Sequence, residues 1–140
     1  EGNELKRDFE HRVAVLKEKL KEVVSIDPER LDAVRTRLDK AIQDLKSDVD
    51  ENRFEQELIY YLEKLDITEE KVRLNKHLSY FLYSLNEKDS NGKKLGFISQ
   101  EMGREINTIG SKANFAPMQK VVVEMKDELE KIKEQLLNVL

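Results

Sequence analysis

Cysteine and tryptophan are absent from this 140-residue sequence, proline occurs twice and glycine five times. The lack of cysteine removes disulfides, thiolate metal sites, zinc fingers and cysteine nucleophiles together, and fits a reducing cytoplasm. So few glycines and prolines encode few turns, which points to long helices rather than short strands. No apolar run approaches the roughly 20 residues of a membrane span, and no charged start leads into an apolar segment as in a signal peptide. The chain reads as soluble, with no membrane partner. An excess of positive charge is missing too. The net charge of -4 excludes a protein that holds nucleic acid by overall basicity, because counterion release needs many cations in one place. Any such contact must come from a local patch.

What is present is charge and helical periodicity. Charged residues make up 39% of the chain and hydrophobic residues another 39%, too little apolar surface for a thick core. Leu5, Phe9, Val13, Leu16, Leu20 and Val23 recur at helical spacing, predicting a first amphipathic helix over about residues 3–25. Asp27 is a suitable N-cap and Pro28 suits a first helical position, so a second helix is expected there, with Leu31, Val34, Leu38, Ile42, Leu45 and Val49 as its stripe. These two narrow-striped helices, residues 1–50, read as an extended helical-hairpin arm. Residues 51–140 read as a C-terminal helical domain. In it Phe54, Leu58, Tyr61, Leu62 and Leu65 mark a third helix after a break at Asp48–Asn52. Leu74, Leu78, Phe81, Leu82 and Leu85 mark a fourth, capped by Thr68. After a loop at Asp89–Gly92, Leu95, Ile98, Met102, Ile106 and Ile109 mark a fifth. Met118, Val122, Met125, Leu129, Ile132, Leu136 and Val139 form a heptad pattern on a last helix capped by Asn114. The fold class expected is all-α: long antiparallel helices in a bundle with a hairpin arm.

Gly92–Lys112 stands apart. It holds four of the five glycines, and its four cations (Lys93, Lys94, Arg104, Lys112) outnumber Glu101 and Glu105 inside an acidic chain. At about 100° per residue, Lys94, Glu101, Arg104, Glu105, Thr108 and Lys112 project from one side, with Asn107 near its edge. Gly96, Gly103 and Gly110, seven apart, suit either a close helix crossing or direct approach of a phosphate to the backbone. Glu101 and Glu105 at i, i+4 can share a divalent cation, since magnesium sites use one or two carboxylates and retain water; an Arg104-centred salt network explains the same pattern. Glu70, Arg73 and His77 share one face of the fourth helix. An imidazole there can ligate a metal or move a proton near neutral pH, or simply pack. Arg53, with Asn52, Glu55, Gln56 and Glu57, belongs to a polar cluster that also suits the start of a helix.

In order along the chain, Glu1-Gly2-Asn3-Glu4-Leu5-Lys6 resembles an EGxxLK motif, Asn52-Arg53-Phe54-Glu55-Gln56-Glu57 an NRxEQE motif, and Glu69-Glu70, Arg73-Leu74 and His77-Leu78 an acidic-RLxxH run. Gln100 through Lys112 matches QExxRExNTxxSK in full. Together these resemble the C-terminal region of the YicC-like (YicC/YloC) endoribonuclease family. Lys93 and Gly96 depart from its pattern, which has Arg and Asp there, and the family's separate N-terminal domain is expected upstream of Glu1.

The resemblance implies a cytoplasmic endoribonuclease that cuts single-stranded RNA with a divalent cation, magnesium or manganese, and assembles as a homo-oligomer, a hexamer in the full-length family. DNA is not an expected partner. On that reading Glu70, His77, Glu101 and Glu105 are the candidates for catalysis, with His77, Glu101 and Glu105 as metal ligands. Arg53, Arg73, Lys94, Arg104 and Lys112 would hold phosphates, and Asn107, Thr108 and Ser111 would orient a phosphate or a water. The alternative is a non-catalytic RNA-binding or oligomerisation module whose polar cluster is structural.

Overall fold

The computed structural model describes residues 2–44, 50–87 and 92–138; the expected stripe positions Leu45 and Val49, most of the Asp89–Gly92 loop and Val139 lie outside them. Every regular element in the described residues is helical: α1 (Gly2–Asp44), α2 (Glu51–Leu65), α3 (Thr68–Leu85), α4 (Gly92–Lys112) and α5 (Ala116–Leu137).

α1 runs unbroken through Pro28, about 65 Å at 1.5 Å per residue. The turn expected at Asp27–Pro28 is absent, and the two helices expected within residues 1–50 are one. The reason lies in the stripe. Phe9, Val13, Leu16, Leu20 and Val23 alternate by four and three, and Asp27 and Arg30, both buried, continue that register. Asp27 therefore faces inward, where it pairs with Arg30 and does not cap a helix. Pro28 lies on the opposite side; it and Val24 are exposed, so water can replace the N–H that proline denies the Val24 carbonyl.

The first half of α1 packs with α3, α4 and α5 in a four-helix bundle in which α1 neighbours α5 and α3, and α4 neighbours the same two. Cross-helix pairs fix the directions. Arg12–Glu128 and Lys19–Glu124 run α1 against α5, and Phe9–Phe81, edge-to-face at 5.6 Å, with Lys71–Asp27 runs it against α3. Arg73–Glu105 sets α3 against α4. Each neighbouring pair is antiparallel. The heptad positions of α5, Met118 through Leu136, are buried in the common core with Leu74, Leu78, Met102, Ile106 and Ile109.

α2 stands outside the bundle and packs chiefly against α1. Only Leu58 of α2 is buried. The hairpin arm is thus the second half of α1 with α2, displaced along the chain from where it was expected. Asp50 caps α2 by accepting from Asn52 N–H at 3.0 Å. Thr68 opens α3, but the capping oxygen is Asp66 Oδ1, which accepts from both Thr68 N–H and its hydroxyl. α5 begins after Phe115, with no side-chain cap from Asn114.

Candidate functional site

Where the arm meets the bundle, a charged corner is built from four helices. Arg30, 1% exposed, donates to Asp27 Oδ1 at 2.8 Å, to the Leu65 carbonyl at 2.8 Å and to the Lys112 carbonyl at 3.3 Å. Those carbonyls end α2 and α4, so one guanidinium closes two helix C-termini whose last carbonyls have no partner in their own helix. Lys71 of α3 donates to Asp27 Oδ2 at 3.2 Å. Lys112 of α4 reaches back to the Asp66 carbonyl at 3.0 Å and to Glu70 Oε1 at 2.8 Å. Glu70 is 3% exposed, and its Oε2 is buried without a hydrogen-bond partner in the chain. The bonds from Thr68 hold the Asp66 carboxyl below its usual pKa.

From this corner the seam between α3 and α4 leads outward. Arg73 Nε donates to both oxygens of buried Glu105, at 2.8 and 3.0 Å, and its Nη1 donates to Glu69 at 3.0 Å. Glu105 first and Glu69 second raise the Arg73 pKa above arginine's usual value. One turn on from Arg73 stands His77, and one turn back from Glu105 stands Glu101, the facing register of the antiparallel pair. Glu101 pairs loosely with Arg104 at 3.6 Å, and the Arg104 side chain is 74% exposed. His77 is half-buried. Two turns further, Lys94 sits 5.1 Å over the Tyr80 ring and pairs with Glu87 at 3.3 Å. Tyr80 first and Glu87 second raise the Lys94 pKa.

Residues 23–140 match the family described as "Endoribonuclease YicC-like, C-terminal". The chain belongs to that family. It is 39% identical, over 99% of its length, to "Probable endoribonuclease YicC" of Clostridioides difficile, and 32% identical over 99% to the protein of that name from Haemophilus influenzae. In each case it spans 48% of the relative, about half its length.

The YicC-like motifs do not all meet in one place. Glu70, Arg73, Glu105 and Lys112 converge, and they hold one another. His77 on α3 and the Glu101–Arg104 pair on α4 lie one turn along the seam by register, and are more open to solvent. Lys94 is about 27 Å from Lys112 along α4, too far to share a phosphate with it. Arg53 is exposed on α2, in the arm. The hydroxyls of Thr108 and Ser111 donate to carbonyls of their own helix, Arg104 O and Thr108 O, while Asn107 is exposed. Two of the spaced glycines serve the helix crossing: a Cβ on Gly103 would lie 3.2 Å from Leu129, and one on Gly110 3.0 Å from Val122. Gly96 faces open space.

Nor does the chain assemble the expected ligand set. Among the described residues no three His, Asp or Glu side chains stand together as a metal site. The physical reason is that Glu105 is taken by Arg73 through both oxygens, which leaves Glu101, one turn away, as the more exposed of the two α4 carboxylates. The residues that sequence reasoning missed are Asp27, Arg30, Asp66 and Lys71. The signal for the first and second was in the α1 stripe, where a charged pair occupies consecutive core positions. Among the described residues no helix is long and apolar enough to cross a membrane.

Proposed function

We propose that this chain is the C-terminal half of a cytoplasmic endoribonuclease that cuts single-stranded RNA, with the chemistry on the α3–α4 seam at His77, Glu101 and Arg104. Family membership supports the reaction class. The observation that carries the choice of residues is the division of the YicC-like motif between groups already held and groups still open. Glu70, Arg73, Glu105 and Lys112 are tied to one another, with Glu70 Oε2 the one oxygen among them left buried and unbonded, and they position the seam. His77 and Glu101 are left able to move protons, and Arg104 to meet a phosphate as a fixed cation.

A divalent cation, magnesium or manganese, belongs to the proposal through the family resemblance. The described residues of this chain do not fit a complete site for it, and its remaining ligands would come from elsewhere. A homo-oligomer, hexameric as the resemblance implies, is supported by exposed apolar side chains on α4 and α5: Phe97, Val123 and Leu137 are 60%, 63% and 73% exposed.

The test uses the full-length protein and an unstructured RNA oligomer. Cleavage is expected with manganese or magnesium and is abolished by chelator. His77→Ala and Glu101→Gln, tested singly, are each expected to slow cleavage by about 10²-fold or more, the usual contribution of a positioned acid or base. Arg104→Ala is expected to raise KM. Wild-type rates in all three variants would remove the seam from the chemistry. RNA retention without turnover in the wild type would favour a non-catalytic binding or assembly module.

A further inference from the structure

Beyond the proposed catalytic group, the outer end of α3 carries two exposed tyrosines that lie outside the apolar core. Tyr80 and Tyr83 are stacked, with ring centroids 6.4 Å apart and planes inclined by 16°. Both are exposed, Tyr80 at 45% and Tyr83 at 66%, and neither belongs to the apolar core. Lys94 lies over the Tyr80 ring. Lys76, exposed, precedes the pair at i−4 and i−7 and so shares their stripe. One cation therefore touches the stacked pair at Tyr80, and a second stands one helical turn before it on the same stripe. Glu87 offsets the charge of Lys94; Lys76 makes no ion pair among the described residues.

We infer that Tyr80 and Tyr83, with Lys76 and Lys94, form a base-stacking subsite for single-stranded RNA, next to His77 and downstream of the Arg73–Glu105 tie on the same seam. The inference rests on the nuclease reading and specifies how its substrate is held. Single-stranded nucleic acid is bound by aromatic rings beside cations, because every base offers a π-face whatever the sequence. The aromatic pair meets that need: parallel rings, at an exposed position, beside ammonium groups that can meet the flanking phosphates. Tyr80 is about 10 Å along α3 from Arg73, so a strand lying in the seam reaches the rings within a few nucleotides of the proposed chemistry. A base held there fixes the strand without favouring any one sequence.

The test measures binding and cleavage by the full-length protein with two strands of equal length, an oligoadenylate and a ribose-phosphate strand without bases. Tyr83→Ala is expected to weaken oligoadenylate binding and raise KM by at least about fivefold, with kcat unchanged. Tyr83→Phe keeps the ring and should retain wild-type affinity. The baseless strand should bind weakly and equally to wild type and Tyr83→Ala. Because Tyr83 is exposed, the thermal midpoint of Tyr83→Ala should match wild type, which separates loss of stacking from loss of fold. Unchanged oligoadenylate affinity in the Tyr80→Ala/Tyr83→Ala double variant would overturn the inference. So would equal wild-type affinity for both strands, or a fall in mass by light scattering on Tyr83→Ala, which would assign the rings to a subunit contact. A wild type that binds oligoadenylate without cutting it still reports on stacking while sinking the nuclease reading; one that binds no RNA sinks both.

Discussion

Replacing Arg30 by Met tests the account of the corner directly. The side chain is nearly isosteric along its stem, so the loss is of charge and donors more than of volume. Wild-type Arg30 neutralises Asp27, whose side chain is only 9% exposed, and closes the last carbonyls of α2 and α4. Breaking a buried ion pair by removing one partner costs about 3–5 kcal/mol, because the other charge stays buried. Each carbonyl left without a donor adds up to about 1–3 kcal/mol where water cannot reach it. Two features reduce the sum. Lys71 still holds Asp27, and a groove of about 280 Å³ lined by Arg30, Leu65 and Lys112 lets water approach the carbonyl of Lys112. The expected loss for Arg30→Met is therefore about 3–5 kcal/mol in urea unfolding followed by far-ultraviolet circular dichroism, a large share of the stability of an ordinary domain. Asp27→Asn/Arg30→Met should recover part of that loss, since no buried charge is then stranded. Lys21→Ala, whose partner Glu18 is as exposed as itself, should change stability by less than about 0.5 kcal/mol. A loss under about 1 kcal/mol for Arg30→Met, at an unchanged denaturant slope, would refute the claim that this guanidinium joins arm to bundle.

Gly96→Ala meets open space and should stabilise by about 0.5–1 kcal/mol through helix propensity, whereas Gly110→Val pushes into Val122 of α5 and should cost about 1–3 kcal/mol; both are read from thermal midpoints. Arg73→Met strands buried Glu105 and should destabilise clearly more than Arg104→Met, whose Glu101 partner is solvated. Asp66 has a folded pKa depressed below its unfolded value of about 3.9, so its contribution is present above that value and is lost as pH falls through the folded pKa. The stability gap between wild type and Asp66→Ala should be open at pH 7 and narrow below about pH 4.

Local signals carried most of the fold. The helices' apolar stripes were legible because each is amphipathic at the helical period, and nearly all the core residues of α3, α4 and α5 belong to those stripes. The error at Asp27–Pro28 came from giving local cap chemistry precedence over register. A proline preceded by an aspartate is a good helix start, but the alternation from Phe9 to Val23 continues onto Asp27 and Arg30, and tertiary pairing with Lys71 and two carbonyls outweighs the local preference. Arg30 was illegible as a site residue because its partners are main-chain oxygens 35 and 82 positions away, and no side-chain motif marks a carbonyl. Spacing likewise placed Glu101 and Glu105 on one face without revealing that Arg73 takes both oxygens of Glu105.

That last contact changes what the YicC-like motif means physically. A run of charged residues on one helix face suggests equal candidates, yet burial divides them. Glu105, on the inner edge of α4, is desolvated and must be paired to remain charged at acceptable cost; Glu70, one helix across, is in the same position and draws Lys112. Both acids therefore consume the cations nearest them, which fixes the register of α3 against α4 and closes the α2–α3 corner. Glu101 and Arg104, one turn outward, have side chains 45% and 74% exposed, where a salt bridge contributes little and either partner can exchange the other for a ligand. If the inner group were the reactive one, a substrate phosphate would have to break bonds that hold the helices together. The outer group can bind without that cost, so substitutions there should change kcat or KM while leaving the unfolding midpoint in place, and substitutions at Glu70 or Glu105 should lower both activity and midpoint.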